Sequence, residues 1–147
     1  MRPWLIAGFT LVADQLTKSL VAASFMPGES LPLVPRVLHL TYVQNTGAAF
    51  GLFKGQHALF IVLSLVVIVW IAREFLTKRP ASRAVAWGYA LVLGGAAGNL
   101  IDRVRLGYVV DFLDLRVWPV FNVGDSAITI GVALLVWRAL KKVPGPS

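Results

Sequence analysis

Two short stretches near the C-terminal end decide how the rest of this chain is interpreted: Val109-Val110-Asp111-Phe112 and Phe121-Asn122-Val123-Gly124-Asp125-Ser126. Each stretch carries an aspartate at the edge of a long apolar segment. A carboxylate beside a membrane segment is costly unless it is paired or functional. We therefore expect Asp111 and Asp125 to act together, and the apolar segments to hold them close to each other at a membrane surface.

The composition favours a membrane protein. Hydrophobic residues make up 57% of the 147 residues and charged residues only 14%, against about 25% charged residues in soluble domains. The net charge of +7 does not indicate a nucleic-acid partner, because the 14 basic residues are scattered and form no stripe. The chain contains no cysteine, which excludes disulfides and thiol catalysis.

Four apolar segments predict an all-α membrane protein with four transmembrane helices, at residues 4–25, 58–72, 84–101 and 123–140. The basic loop at residues 73–83 belongs on the cytoplasmic side, because such loops carry an excess of Lys and Arg. With Arg2 and the C-terminal tail on the same side, both termini are cytoplasmic and eight of the fourteen basic residues lie inside.

The segment between the first two spans has a different composition, with turn residues and strand formers in place of a long apolar run. Pro27-Gly28 marks a turn, and residues 37–43 are rich in strand formers whose polarity alternates. We predict a small extracytoplasmic β element between helices 1 and 2.

Several polar residues have helical spacing. Asp14 and Lys18 are four residues apart and share one helix face, so a pair that only neutralises itself explains them as well as a functional role does. Asn99, Asp102 and Arg103 share a face at the outer end of the third span. Gly94 and Gly98 in the same span are spaced for close helix packing.

Five of the seven acidic residues collect toward the outer membrane face in this topology: Asp14, Asp102, Asp111, Asp114 and Asp125. Two carboxylates brought close together cannot both ionise easily, so one keeps its proton. Such a pair provides a base that activates water and an acid that protonates a carbonyl or a leaving group. Spacing alone leaves open whether Asp111 or Asp114 faces Asp125.

Simpler interpretations compete with a catalytic one. Asn122 and Asp125 have the spacing of a helix N-cap with an acid in the first turn. Asp102 with Arg103 fits a structural ion pair, and Asp114 with Arg116 a solvated one. The acids also fit a relay in a proton-coupled transporter, or a non-catalytic helical scaffold. His39 and His57 are isolated and lack the spacing of zinc ligands.

Five motifs, in order, make the chain resemble the lipoprotein signal peptidases, also called signal peptidase II or prolipoprotein signal peptidase. They are Asp14-Gln15-Leu16-Thr17-Lys18, Asn45-Thr46-Gly47-Ala48-Ala49-Phe50, Gly94-Gly95-Ala96-Ala97-Gly98-Asn99-Leu100-Ile101-Asp102-Arg103, Val110-Asp111-Phe112 and Phe121-Asn122-Val123-Gly124-Asp125. Each block alone is weak, but their order within a four-span chain is specific.

The resemblance implies one integral membrane peptidase domain over residues 1–147, in the cytoplasmic membrane of a bacterium with its active site near the extracytoplasmic face. The family consists of aspartic endopeptidases that cut prolipoproteins just before a cysteine carrying diacylglycerol. Its catalytic aspartates fall on Asp111 and Asp125. The positions that shape its site and hold substrate fall on Asp14, Lys18, Asn45, Asn99, Asp102, Arg103 and Asn122.

The same resemblance implies further partners, namely membrane lipids and inhibitors of the globomycin type, and it implies no metal or organic cofactor. One departure is visible, since Gly124 stands where the family usually has alanine. We expect this extra glycine to loosen the start of the fourth helix by less than about 1 kcal/mol and to leave activity intact.

Overall fold

The computed structural model describes residues 2–47, 56–77, 80 and 82–141. Its helices are α1 (Pro3–Ser24), α2 (His57–Thr77), α3 (Arg83–Leu106) and α4 (Val123–Leu140). All four are long and apolar enough to cross a membrane, as the sequence predicts. Helices α2 and α3 each continue about one turn beyond their predicted ends. The C-terminal tail from residue 142 and residues 48–50 of the second motif lie outside the described residues.

The outside of the helix bundle is apolar. Helix α2 is the most hydrophobic of the four, with a mean hydropathy of 2.4, yet only 6% of its span is buried inside the protein. Large side chains such as Phe9, which is 73% exposed, project from α1 as well. Extensive exposed apolar surface of this kind indicates contact with another apolar phase, and here the lipid bilayer provides it.

Helix α3 lies at the centre and packs against the other three helices. Its glycines allow this close approach, as the spacing of Gly94 and Gly98 predicts. A Cβ atom at Gly94 would meet the backbone oxygen of Ala7 in α1, and one at Gly98 would meet the Asp14 carboxylate. A Cβ at Gly95 would meet the backbone oxygen of Gly124 in α4. The packing of α3 therefore depends on small residues.

A three-stranded antiparallel sheet lies at one end of the bundle, in the order β1 (Ser30–Val34), β2 (Leu38–Asn45), β3 (Val109–Asp114). The predicted β element between helices 1 and 2 is confirmed. The sequence does not predict the third strand, which contains one of the two key acids. In the register of β2 and β3, Val43 pairs with Asp111 and Asn45 with Val109.

The sheet is held in place by a small apolar cluster. Tyr42 of β2 and Val110 and Phe112 of β3 pack with Val21 near the end of α1. These side chains are buried, so the strand that carries Asp111 is fixed against the helix bundle. The third strand thereby connects the ends of α1, α3 and α4 to the sheet.

Candidate active site

Asp125 lies in the first turn of α4, where it takes part in a capping box. Asn122 is the N-cap, and its side chain accepts a hydrogen bond from the backbone N–H of Asp125 at 2.8 Å. The Asp125 carboxylate accepts in return from the backbone N–H of Asn122 at 3.4 Å. The predicted N-cap is therefore confirmed. It does not account for the other carboxylate oxygen, which accepts from Nδ2 of Asn99 at 2.8 Å.

Asp111 lies in the middle of β3 and is only 1% exposed. Its Oδ1 accepts from Nδ2 of Asn122 at 2.7 Å, and its Oδ2 accepts from Nδ2 of Asn45 at 2.8 Å. Asn122 thus contacts both acids, through its amide nitrogen on one side and its amide oxygen and backbone on the other. One side chain sets the relative position of Asp111 and Asp125.

The environment of Asp111 favours the protonated acid. Burial, and after it the negative charge of Asp125, raises the pKa of Asp111. Hydrogen bonds from Asn45 and Asn122 and the positive charge of Lys18 act in the opposite direction, and the resulting pKa is about 7. A carboxylic acid with this pKa still holds its proton in a substantial fraction of molecules at neutral pH.

A buried ionic cluster lies directly behind the two acids. The ammonium of Lys18 contacts Asp14 at 2.8 Å, Asp102 at 2.9 Å and Oδ1 of Asn99 at 2.7 Å. The predicted pair of Asp14 and Lys18 is confirmed. The suggested pair of Asp102 with Arg103 is wrong as a description of Asp102, because its ionic partner is Lys18.

The cluster also ties the elements of the site together. Asp14 accepts from the backbone N–H of Gly124 at 2.7 Å, and Asp102 accepts from the backbone N–H of Val110 at 3.1 Å. These bonds connect α1 to the start of α4, and α3 to β3. Breaking a buried ionic network by removing one member costs several kcal/mol, so the cluster fixes the two segments of chain that carry Asp111 and Asp125.

Gly124 is packed more tightly against neighbouring residues than the sequence indicates. A Cβ at this position would lie 3.0 Å from the backbone oxygen of Gly95 and 3.0 Å from Oδ1 of Asp14. The glycine is therefore a contact point between α4 and its neighbours, besides being a weak helix former.

Both acids line a cavity of about 350 Å³. Arg103 also lines it, with its guanidinium 5.0 Å from the centre of the Phe60 ring. A second cavity of about 390 Å³ adjoins Asp125 and is bordered by apolar side chains that include Leu115 and Ile130. The site thus has a polar chamber at the two carboxylates and an apolar chamber beside helix α4.

Asp114 lies outside this chamber. Its carboxylate accepts from Thr41 Oγ1 at 2.8 Å and pairs with Arg116 at 2.9 Å. The ion pair with Arg116 is confirmed, but the expectation that it is solvated is wrong for the carboxylate, because Asp114 is buried. Burial alone would raise the pKa of Asp114, but hydrogen bonds from Arg116 and Thr41 bring it below its usual value.

The structure brings all the remaining site residues predicted from sequence into one network or onto the cavity wall: Asp14, Lys18, Asn45, Asn99, Asp102, Arg103, Asp111, Asn122 and Asp125. It adds Gln15, whose amide donates to Asp102 at 3.0 Å, and Phe60. Gln15 could have been predicted from the sequence, because it lies next to the charged pair of Asp14 and Lys18. Phe60 could not, because it is one of many apolar residues in its span. Among the described residues no group of three His, Cys, Asp or Glu side chains is placed to hold a metal ion.

The fold and the site define a multi-pass membrane protein with two linked acids at a cavity on one end of a four-helix bundle. A family model described as signal peptidase (SPase) II matches residues 6–141. Proteins named lipoprotein signal peptidase are similar to this chain. One from Moorella thermoacetica is 48% identical over an alignment that covers 92% of this chain and 91% of that protein. One from Halothermothrix orenii is 47% identical, covering 90% of this chain and 91% of that protein.

Solved structures agree with the sequence comparisons. One, described as a bacterial membrane enzyme, superposes with a TM-score of 0.89 at 33% identity and covers 99% of this chain and 93% of its own. A second, with the same description, gives a TM-score of 0.86 at 34% identity, covering 96% of this chain and 94% of its own. The chain belongs to the signal peptidase II family, and it is a multi-pass membrane protease with bacterial relatives.

Proposed function

We propose that this protein is an aspartic endopeptidase that removes the signal peptide from diacylglyceryl-modified prolipoproteins, cutting just before the lipidated cysteine. Membership of the signal peptidase II family supports the removal of signal peptides from prolipoproteins. The observation that carries the aspartic mechanism is the contact of Asn122 with both Asp111 and Asp125 at one cavity.

In the proposed reaction Asp125 is the base. Its carboxylate lies at the N-terminus of α4, where the positive end of the helix dipole favours the ionised form. It takes a proton from a water molecule, whose oxygen attacks the carbonyl carbon of the scissile peptide bond. Asp111, which is protonated in a substantial fraction of molecules at neutral pH, donates its proton to the carbonyl oxygen. Collapse of the tetrahedral intermediate breaks the C–N bond. The proton that Asp125 accepted passes to the leaving amine, and one hydroxyl of the intermediate returns a proton to Asp111 as the new carboxyl group forms.

The polar residues around the dyad have positioning roles in this proposal. Asn45, Asn99 and Asn122 fix the orientation of the two carboxylates through amide hydrogen bonds. Asp14, Lys18 and Asp102 form the support behind them. Arg103 faces the chamber and orients the substrate or the phosphate-glycerol region of nearby lipid, because a guanidinium forms paired hydrogen bonds to such groups.

The substrate and the membrane surroundings follow from the same arrangement. A lipidated cysteine is anchored in the outer leaflet, so the scissile bond reaches the membrane surface at the depth of the dyad. We propose that the whole chain, residues 1–147, forms one domain in a bacterial cytoplasmic membrane. Both termini would be cytoplasmic and the site would lie near the extracytoplasmic face. Globomycin-type inhibitors would bind in the chamber at Asp111 and Asp125.

A proton relay is the alternative that the acids also suggest, but their placement favours hydrolysis. A relay needs acids at several depths along the helices. Asp14, Asp102, Asp111 and Asp125 instead belong to one connected network at one end of the bundle.

The direct test is cleavage of a diacylglyceryl-modified prolipoprotein by the purified chain in detergent or nanodiscs. We expect a product that begins at the lipidated cysteine, identified by mass spectrometry, and no cleavage of the same precursor without its lipid. Release at another bond, or equal cleavage of both precursors, would contradict the proposed specificity.

A further inference from the structure

A third cavity, with a different chemistry, lies at the far end of the bundle from the dyad. It has a volume of about 610 Å³ and is bordered by Arg2, Pro3, Arg83 and Trp87. These residues come from the N-terminal ends of α1 and α3, the two helices that support the ionic cluster at the other end. We call this cavity the basic cleft.

The distance from the active site places the basic cleft at the other membrane surface. Arg83 begins α3, and Asp102 of the ionic cluster lies 19 residues further along the same helix. At about 1.5 Å per residue this separation is roughly 28 Å, close to the thickness of about 30 Å of a bilayer's hydrocarbon core. The basic cleft and the dyad therefore face opposite leaflets.

The two arginines of the basic cleft are not neutralised by an ion pair within the part of the chain that the structure describes. Arg2 and Arg83 are both exposed, and neither forms an ion pair with another described residue. The first turns of α1 and α3 contain no acidic residue. A pair of guanidinium groups beside one cavity creates a local field that attracts an anion.

The neighbouring side chain suggests which anion. Trp87 lies one helical turn inside Arg83 and is 43% exposed. Tryptophan is typical of the headgroup level of membranes, where its ring contacts lipid and its N–H stays near polar groups. Basic pockets between transmembrane helices at the cytoplasmic side commonly bind phosphate headgroups.

We propose that the basic cleft binds the phosphate headgroup of an anionic phospholipid in the leaflet opposite the active site. The two guanidinium groups would hold the phosphate oxygens, and Trp87 would lie against the glycerol and the upper part of the acyl chains. By connecting the ends of α1 and α3, the bound lipid would stabilise the helix pair that carries Asp14, Lys18, Asn99 and Asp102. This site is independent of the peptidase chemistry.

The experiment is a lipid titration of the purified full-length chain, with bound lipid counted by native mass spectrometry. Phosphatidylglycerol and phosphatidylcholine are added separately. We expect the chain to retain phosphatidylglycerol preferentially, and the double variant Arg2→Gln/Arg83→Gln to bind it roughly thirtyfold more weakly, because two basic side chains near the membrane surface are lost. The matched control is Arg105→Gln, an exposed arginine at the other end of the same helix, which should bind like the unaltered chain.

Three results would overturn the proposal. The first is an equal preference of the unaltered chain for both lipids, which is measurable even if the double variant fails to insert. The second is unchanged phosphatidylglycerol binding by a folded double variant. The third is displacement of the bound lipid by millimolar inorganic phosphate, which would make the cleft a site for free phosphate instead of a lipid headgroup.

Discussion

Asn122 is the residue that couples the two acids, and Asn45 is the residue that acts on Asp111 alone. The Asn45 amide donates to Asp111 at 2.8 Å and so favours the charged carboxylate. The substitution Asn45→Ala removes this hydrogen bond. It should raise the pKa of Asp111 further, because a bond that stabilises the ionised form is lost. If protonated Asp111 is the general acid, activity falls as pH rises through its pKa of about 7, and the variant should retain activity to higher pH.

The measurement is the pH dependence of kcat/KM for the unaltered chain and for Asn45→Ala. Gln44→Ala is the matched control, since Gln44 is the neighbouring exposed residue of the same strand and its amide contacts Tyr42. An alkaline limb that stays in place in Asn45→Ala, or shifts equally in both variants, would argue against Asp111 as the acid.

Arg103 allows a second test of a single residue of the site. Its guanidinium lies over the Phe60 ring and beside the two acids. Arg103→Lys keeps the charge but loses the planar fork and the stacking. We expect kcat/KM to fall roughly tenfold or more, equivalent to about 1.4 kcal/mol of transition-state stabilisation, while Arg105→Lys stays near the unaltered value. Near-normal kinetics in Arg103→Lys would reduce Arg103 to a simple charge anchor.

At the scale of elements, the glycines of α3 decide how close the helices approach. Gly95→Ala places a Cβ against the backbone oxygen of Gly124, which cannot rotate away, so we expect destabilisation of about 1–3 kcal/mol. Gly8→Ala is the control, because nothing lies within 4 Å of its Cβ position. It should be neutral or stabilising by up to about 1 kcal/mol. The readout is thermal unfolding in detergent, and equal effects of the two substitutions would contradict this mode of helix packing.

The four helices can be predicted from the sequence, but the strand β3 cannot. The four helices are predictable because long apolar segments separated by a basic loop are typical of membrane-spanning helices. Val109–Asp114 is a short run that is buried almost throughout, so it lacks the alternation that identifies a half-exposed strand. Its pairing with β2 is a contact between distant parts of the chain, and no local pattern encodes it.

The same limit applies to the acids. Spacing groups Asp14 with Lys18, but it cannot show that Lys18 also binds Asp102. Spacing also leaves Asp111 and Asp114 equivalent. In the structure the geometry of the strand separates them, with Asp111 at the chamber and Asp114 against Thr41 and Arg116.

At the scale of the whole molecule, the orientation in the membrane is open to a chemical test. The chain has no cysteine, so single cysteines report their own positions. We expect Ser30→Cys to react with an impermeant thiol reagent in intact cells, because β1 is exposed at the active-site end. Ser82→Cys and Ser147→Cys should react only after the membrane is permeabilised. Reaction of position 82 from outside would invert the proposed topology.

The proposed catalytic dyad of Asp111 and Asp125 is tested by comparing three nearly isosteric variants in cleavage of a diacylglyceryl-modified prolipoprotein. Asn cannot act as acid or base, but it preserves shape, and at position 125 it preserves a side-chain acceptor for the cap. Asp111→Asn and Asp125→Asn should therefore insert and fold normally, yet lose nearly all cleavage. Asp114→Asn should retain substantial activity, because Asp114 contacts Thr41 and Arg116 outside the chamber. Robust turnover by either dyad variant, with Asp114→Asn inactive, would contradict the assignment and move the catalytic role to Asp114.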